Sequence, residues 1–447
     1  MTLATAWLEF YPGLQQNPLA ILTSIAVILL LYYPSQWLYL YYFHPLASFP
    51  GHPAAAFSNR WLLSNYKGFP EREFEKLHEK YQTKALRIAP NELHITDVHQ
   101  YKTVYNNIRP FLKDPAFYHL PTIPVHSLFA EIDPARHKER RKMLNPLFSR
   151  NAVFSLEQTV HEKTNILIRK IERICEGRLV DINNAVRCTT MEVMMEFAFA
   201  KAANMLEESD TTFESRILQA FDGYTGSLWD FPLIQKMGAW EMVHEAMEML
   251  VAGSDTTAST LTSGVLHIAS NSEVQNRLAR SLQETELDAN GMLPLAELEK
   301  NIFLTACIKE TLRIGTPVPG RLPRIVPSDP PFLVDGKVIP PGTVVSISTY
   351  TMHMSEELWG PDARVFNPDR WLGSGSQGLD QYFCSFSKGS RMCIGQNLAY
   401  AELATIMAWI FRHFQVTLPE GFEPPRQEDR FELAYVTGLP VKISVRK

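Results

Sequence analysis

The stretch Phe386-Ser-Lys-Gly389-Ser-Arg391-Met-Cys393-Ile-Gly395 constrains this chain more than any other. A glycine-punctuated loop delivers a cysteine to the start of a helical segment whose apolar Leu398, Leu403, Ile406, Ile410 and Phe414 mark a buried side. A helix N-terminus favours thiolate over thiol, through its free backbone N–H groups and the macrodipole. Gly389 permits a tight turn, and Gly395 permits the close approach of a flat cofactor. Arg391 supplies a cation for a carboxylate, and Phe386 can shield the sulfur from water. The alternative is a structural cysteine, since a free Cys usually packs as a small apolar residue.

The rest of the composition narrows the setting. Five cysteines (Cys175, Cys188, Cys307, Cys384 and Cys393) are odd in number and scattered, which is no disulfide framework and fits a reducing compartment. A net charge of -5 gives no basic field for nucleic acid. The 447 residues suffice for one large domain or two ordinary ones. The N-terminus departs from this soluble picture. Residues 19–43 are apolar and uncharged, and they end in an aromatic cluster from Trp37 to Phe43. With that cluster the run reaches the about 20 residues a spanning helix needs, and aromatics belong at the membrane interface. No Lys or Arg precedes it, and the first basic residue after it is Arg60. The positive-inside rule therefore places the C-terminal bulk in the cytosol. The expected organisation is a short non-cytosolic N-terminus (1–18), a transmembrane anchor (19–43), a Pro-rich hinge (44–53) and one domain (54–447).

Helical periodicity predicts helices over residues 71–81, 137–176, 184–205, 241–270, 273–287 and 295–314, and a last one from about Cys393. Short strands are expected at 85–88 and 92–95, and three more within 332–348 around an Asp335-Gly336 turn and a Pro-Pro-Gly turn. The predicted class is mainly α with a minor β region, preceded by one transmembrane helix.

The cysteine loop resembles the haem-binding signature of the cytochrome P-450 family, F-x-x-G-x-R-x-C-x-G, at all five of its fixed positions, Phe386, Gly389, Arg391, Cys393 and Gly395. The resemblance covers nearly the whole chain and looks closest to fungal microsomal members of secondary metabolism. It implies the family's fold, haem b as cofactor and Cys393 as the axial ligand of its iron. A thiolate there pushes electron density toward oxygen and favours O–O cleavage. Glu310, Arg313 and Arg370 then stand where the family has a structural network that locks a helix against the cysteine loop. Ala252-Gly253-Ser254-Asp255-Thr256-Thr257 matches the oxygen-binding helix, in which the helix opens locally. Asp255 and Thr256 would relay protons to dioxygen, and Gly253 would leave room for it beside the haem. His137 replaces the family's tryptophan four residues before an arginine, here Arg141. With Arg324, these would hold the haem propionates. Lys138, Arg140 and Lys142 could instead help form the docking face of an acidic electron donor.

No dinucleotide or flavin motif is visible, so the resemblance implies that electrons come from NADPH-cytochrome P-450 reductase, with cytochrome b5 as a second donor. The implied substrate is an apolar small molecule of terpenoid or other secondary-metabolite type. Its pocket would be lined, by family position, from residues 117–127, 252–256, 316–319 and 436–439. The implied location is the endoplasmic reticulum membrane, with the catalytic domain facing the cytosol. One departure stands out. Between Phe148 and Gly253 the family has more helices than this chain can hold, and the roof helices are expected to be missing near 238–241. Two alternatives therefore stay open: a haem-thiolate isomerase or dehydratase that needs no reductase, and a catalytically defective, truncated haem protein.

Overall fold

The computed structural model describes residues 18–65, 68–106, 108–109, 111–118, 127–227, 241–373, 376 and 378–446. Most of the short N-terminus, most of the pocket segment at 117–127 and the junction just before Trp240 lie outside the described residues.

The chain opens with helix α1, Pro18–Leu38, which runs through Pro34 and continues as a π-helical turn, Tyr39–Phe43. Within it, Leu22–Phe43 is long and apolar enough to cross a membrane, and none of it is buried in the protein. The hinge that follows is tied down. Arg87, buried in strand β1 (Ala85–Ala89), donates through Nη1 to the carbonyl of Leu40 at 3.0 Å. Its backbone N–H donates to Pro50 at 2.7 Å. Gly51 bridges to the same residue, and a Cβ on Gly51 would meet the Arg87 carbonyl oxygen at 2.1 Å, so only glycine fits. Tyr41 stacks on Phe57 beside this contact.

The body that follows is built from α2 (Pro70–Tyr81), α3 (Pro134–Leu144), α4 (Glu157–Ile174), α5 (Ile182–Phe199), α6 (Arg216–Ser227), α7 (Glu241–Ala269), α8 (Ser272–Gln283), α9 (Ile302–Gly315) and α10 (Gln396–His413), with shorter turns between. α7 is the axis. It packs on α5, α9 and α10, and these contacts bury Leu261, Val265, Ile268, Leu403, Ile406 and Ile410 almost completely. α10 is buried nearly all round from Ala401 to Phe411 rather than on one side.

Strands form a minor portion. Besides β1 they are β2 (Glu92–Ile95), β3 (Leu112–Lys113), β4 (Leu179–Asp181), β5 (Arg324–Ile325), β6 (Phe332–Val334), β7 (Lys337–Ile339), β8 (Val344–Ser346), β9 (Phe414–Thr417), β10 (Gln427–Arg430), β11 (Glu432–Tyr435) and β12 (Pro440–Val445). The main sheet has the order β1-β2-β8-β5-β3. Its β3–β5 register sets Lys113 opposite Arg324.

Two predicted helices divide. The run expected over 137–176 is three helices, because Pro146 sits in a 3-10 turn and the Ser149 hydroxyl caps a new helix at Ala152. The run over 295–314 breaks at Asn301, whose side chain accepts from the Leu304 N–H at 2.9 Å and starts α9. α6 and the sheet β4-β12-β9 were not expected from periodicity.

Candidate functional site: a cysteine beneath a cluster of cations

Cys393 sits between a 3-10 turn, Gly389–Arg391, and the first turn of α10. Its backbone N–H donates to the Phe386 carbonyl at 2.9 Å, which closes the loop. Gly389 has φ +78, and a Cβ there would meet the Asn106 carbonyl oxygen at 2.7 Å. The loop therefore lies flush against the 101–106 segment. A Cβ on Gly395 would meet only the Cys393 sulfur, at 3.9 Å. Phe386 is half-buried, with its ring 5.3 Å from that of Tyr400. Cys393 is exposed, whereas the other four cysteines are buried. The protein packed around its sulfur raises the thiol pKa. The Gly395 N–H, the Arg141 guanidinium and the Gln396 N–H act the other way and favour thiolate.

Basic residues converge beside the loop. Arg391 donates to the carbonyls of Glu131 and Ile132 at 2.6 and 3.0 Å. Arg141 donates to the Met392 carbonyl at 2.5 Å, which places it on the cysteine side of the cluster. Arg324 donates to the Tyr118 hydroxyl at 2.8 Å. His137 is buried, and burial followed by Arg391, Lys113, Arg141 and Arg324 pushes it down to about 3, so the ring is neutral. Sequence reasoning missed Lys113. Its ammonium is buried, bonds the Phe129 carbonyl and lies 4.3 Å from the Tyr118 ring centroid. Burial, Arg324 and Arg391 push it well below the ordinary lysine value despite Glu248 and Glu131. Arg391 is pushed down to about 10 by burial and Arg324. Cations held this close and this far from water suit a ligand that carries its own carboxylates. An exposed thiol at a helix N-terminus, a glycine beside it and this cluster together fit a flat, dianionic haem.

The structural network forms with a change of partners. Glu310 and Arg313 are fully buried and doubly bonded, Nε to Oε2 at 2.9 Å and Nη2 to Oε1 at 2.8 Å. Asn367 N and Trp371 Nε1 each donate to Glu310 at 2.9 Å. Arg370 approaches Glu310 only at 3.5 Å. Its hydrogen bonds go to Asp362, at 2.8 Å, and to the Trp359 carbonyl, at 2.7 Å. The expected network thus forms around Glu310, with Arg313 in a tight pair and Arg370 in a longer ion pair while it also anchors Asp362.

On α7 the hydroxyls of Ser254, Thr256 and Thr257 donate to the carbonyls of Leu250, Ala252 and Gly253 at 2.7, 2.7 and 3.2 Å. The helix is continuous there, not locally opened, because each hydroxyl closes on the carbonyl one turn back. Gly253 also differs from its implied role. A Cβ there would meet Met194 of α5 at 2.6 Å, so its small size serves the α5–α7 approach. Asp255 pairs with Arg187 at 3.1 Å, and Arg187 also holds Asp222 at 2.6 Å. Burial disfavours a charged Arg187, but Asp255 and Asp222 outweigh that and raise it.

The cytochrome P-450 family profile matches residues 50–235 and 228–444. The chain is 31% identical over 463 residues to the cytochrome P-450 monooxygenase macH of Penicillium terrestre, covering 87% of this chain and 90% of that one. It is 27% identical over 474 residues to the cytochrome P-450 monooxygenase cloA of Claviceps purpurea, covering 91% and 92%. A protein described as inactive cytochrome P-450 monooxygenase cloA, from Claviceps fusiformis, is 26% identical over 466 residues, covering 88% and 89%. With the cysteine loop, its cation cluster and these matches together, the chain belongs to the cytochrome P-450 family, whose members bind haem b.

Proposed function

We propose that this protein is a reductase-dependent haem-thiolate monooxygenase. It inserts one oxygen atom of O2 into an apolar small molecule, of terpenoid or other secondary-metabolite type, and releases the other as water. The observation that carries the reading is Cys393, exposed at the N-terminus of α10 with the Gly395 and Gln396 N–H groups favouring its thiolate. Haem bound there supplies the centre at which dioxygen is reduced and cleaved. The chain's residues do the rest. Lys113, Arg324, Arg391 and neutral His137 hold the carboxylates of the cofactor. Arg187 fixes the Asp255 carboxylate on α7, next to the Thr256 hydroxyl, where the pair can pass protons inward from solvent. Electrons come from NADPH through a flavoprotein reductase, with cytochrome b5 as a second donor. The exposed apolar α1 supports a single-pass anchor in the endoplasmic reticulum membrane, with the body in the cytosol.

The family match falls into two pieces that meet at 228–235, which favours a second reading in which the pocket roof is shortened and the protein binds haem without turnover. One experiment addresses both. The reduced carbon-monoxide difference spectrum of the expressed protein should show the thiolate Soret band, and Cys393→Ala should lose it. NADPH oxidation with reductase, screened against apolar terpenoids, should then yield oxygenated product. A folded protein with no such band sinks the ligand assignment, and a band without product over the screen favours the second reading.

A further inference from the structure

Three helices and a turn enclose a cavity of about 360 Å³ beside the start of α10. α10 contributes Asn397, Tyr400 and Ala404, whose spacing puts them on one stripe of the helix. α9 contributes Thr305, Ile308 and Lys309, again one stripe. The short helix Arg150–Ser155 adds Arg150 and Phe154, and the turn Leu295–Leu298 closes the side with Glu299. Among the described residues, none of α7, of 316–319 or of 436–439 lines this cavity. It is therefore separate from the pocket expected beside the oxygen-binding helix.

The lining selects a ligand by size, apolarity and charge. Small-molecule sites run from about 300 to 1,000 Å³, and this one is at the lower end. Phe154, Leu298, Ile308 and Ala404 give it an apolar wall. Two cations, Arg150 and Lys309, stand against one carboxylate, Glu299. Arg150 is paired with Glu299, and Lys309 with Asp380 at 2.7 Å, whose side chain is 71% exposed. Exposed pairs of this kind are worth little, so either cation can turn to an anion in the cavity at small cost. Among the described residues the Thr305 and Tyr400 hydroxyls make no hydrogen bond, which leaves both to bond an oxygen of the ligand. The cavity also borders the cysteine loop. The Tyr400 ring lies 5.3 Å from that of Phe386, and the Phe386 carbonyl accepts the Cys393 N–H at 2.9 Å.

We propose that this cavity is a second, regulatory small-molecule site, which takes a compact apolar molecule with one negative charge, an aromatic carboxylate, and that its occupancy is felt at Cys393 through Tyr400 and Phe386. The test uses the full haem-loaded chain saturated with clotrimazole, an azole that coordinates iron and fills the oxygen-side pocket. Calorimetry then measures binding of 2-naphthoate, with neutral 2-naphthalenemethanol and cationic 2-naphthylmethylamine as controls. The carboxylate should bind in one equivalent and more tightly than the amine. Arg150→Met and Lys309→Met should each weaken 2-naphthoate about ten-fold, the loss of one charged hydrogen bond, and leave the alcohol within about two-fold. Thr305→Trp, which fills the cavity, should abolish binding of both. In the same azole complex 2-naphthoate should lower the reduction potential of the iron, since an added negative charge favours the ferric state, and Thr305→Trp should remove that shift. No binding, equal binding of carboxylate and amine, or wild-type affinity in both charge variants overturns the ligand class, even where Thr305→Trp fails to load haem. Undiminished binding to a folded Thr305→Trp overturns the site, and binding without a change in potential overturns the link to the cysteine.

Discussion

The backbone N–H of Cys384 donates to Nε2 of His353 at 3.0 Å, while Nδ1 of the same ring lies 3.1 Å from the Arg313 carbonyl. One imidazole therefore joins α9 to the loop that ends in Cys393. The two contacts fix the tautomer, with the proton on Nδ1. The ring is fully buried and stacks on Phe383, 5.6 Å between centroids. His353→Leu would strand a buried donor and a buried acceptor, at about 1–3 kcal/mol for each. It should lower the Tm of the haem-loaded protein and convert part of its carbon-monoxide complex from the thiolate Soret form to the non-thiolate form. If neither changes, the loop does not depend on this ring.

Glu310 receives four hydrogen bonds, from Arg313 twice, Asn367 and Trp371. Breaking a buried ion pair by removing one partner costs about 3–5 kcal/mol, because the other charge stays behind. Arg370 makes its hydrogen bonds to the half-exposed Asp362 and to a carbonyl. Glu310→Gln should therefore abolish recovery of haem-loaded protein, while Arg370→Met should only reduce it. The haem-to-protein ratio of the two variants measures this, and equal losses would mean that the longer Arg370–Glu310 pair matters as much as the hydrogen bonds Glu310 receives.

Legibility in the sequence tracked distance along the chain. The cysteine loop could be read because its fixed positions are contiguous and its helix follows at once. The hairpin around Asp335-Gly336 was readable for the same reason, and its β6–β7 register matches that turn. Arg187 could not be paired, because its partner Asp255 is 68 residues away and nothing local marks an arginine on α5 as buried. Lys113 gained its place only from the β3–β5 register, which sets it against a strand more than 200 residues on. His353 and Glu402 read as ordinary polar residues, since only tertiary packing removes water from around them. The helix breaks at Pro146 and Asn301 were visible as residues, but a sustained apolar period masked them.

Lys113 gives a direct test of the cation cluster. Its buried ammonium, beside Arg324 and Arg391, should bond a haem carboxylate, and charged hydrogen bonds of this kind are worth about 1.5–3 kcal/mol. Lys113→Met should speed haem transfer to an excess of apomyoglobin by about ten- to a hundred-fold. Lys138→Met, an exposed position on α3, should leave that rate alone. Equal rates for the two variants would remove Lys113 from the cofactor site.

Two sets of buried groups oppose each other in pH dependence. Burial holds His78 and His353 down at about 3 and His267 at about 4, below the ordinary 6.5. Between those values the unfolded chain binds protons that the folded chain refuses, so this stabilisation is complete above about pH 6.5 and is lost as pH falls. Burial raises Glu402 to about 8 and Asp429 to about 7, so their stabilisation is complete below about pH 4 and is lost as pH rises through those values. Between pH 4.5 and 6.5 the two slopes oppose each other, each group contributing at most about 1.4 kcal/mol per pH unit, and with more histidines than acids the wild-type stability should rise with pH, less steeply than the histidines alone would make it. Single substitutions unmask them. His267 stacks on Phe366 with ring centroids 5.2 Å apart, so His267→Phe keeps the stacking and loses the titration. Relative to wild type it should gain stability as pH falls from 6.5 to 4. Glu402→Gln should instead gain relative stability as pH rises from 4.5 to 8. Urea midpoints of the three haem-loaded proteins across this range decide it, and parallel curves would mean that neither group is held uncharged by the fold.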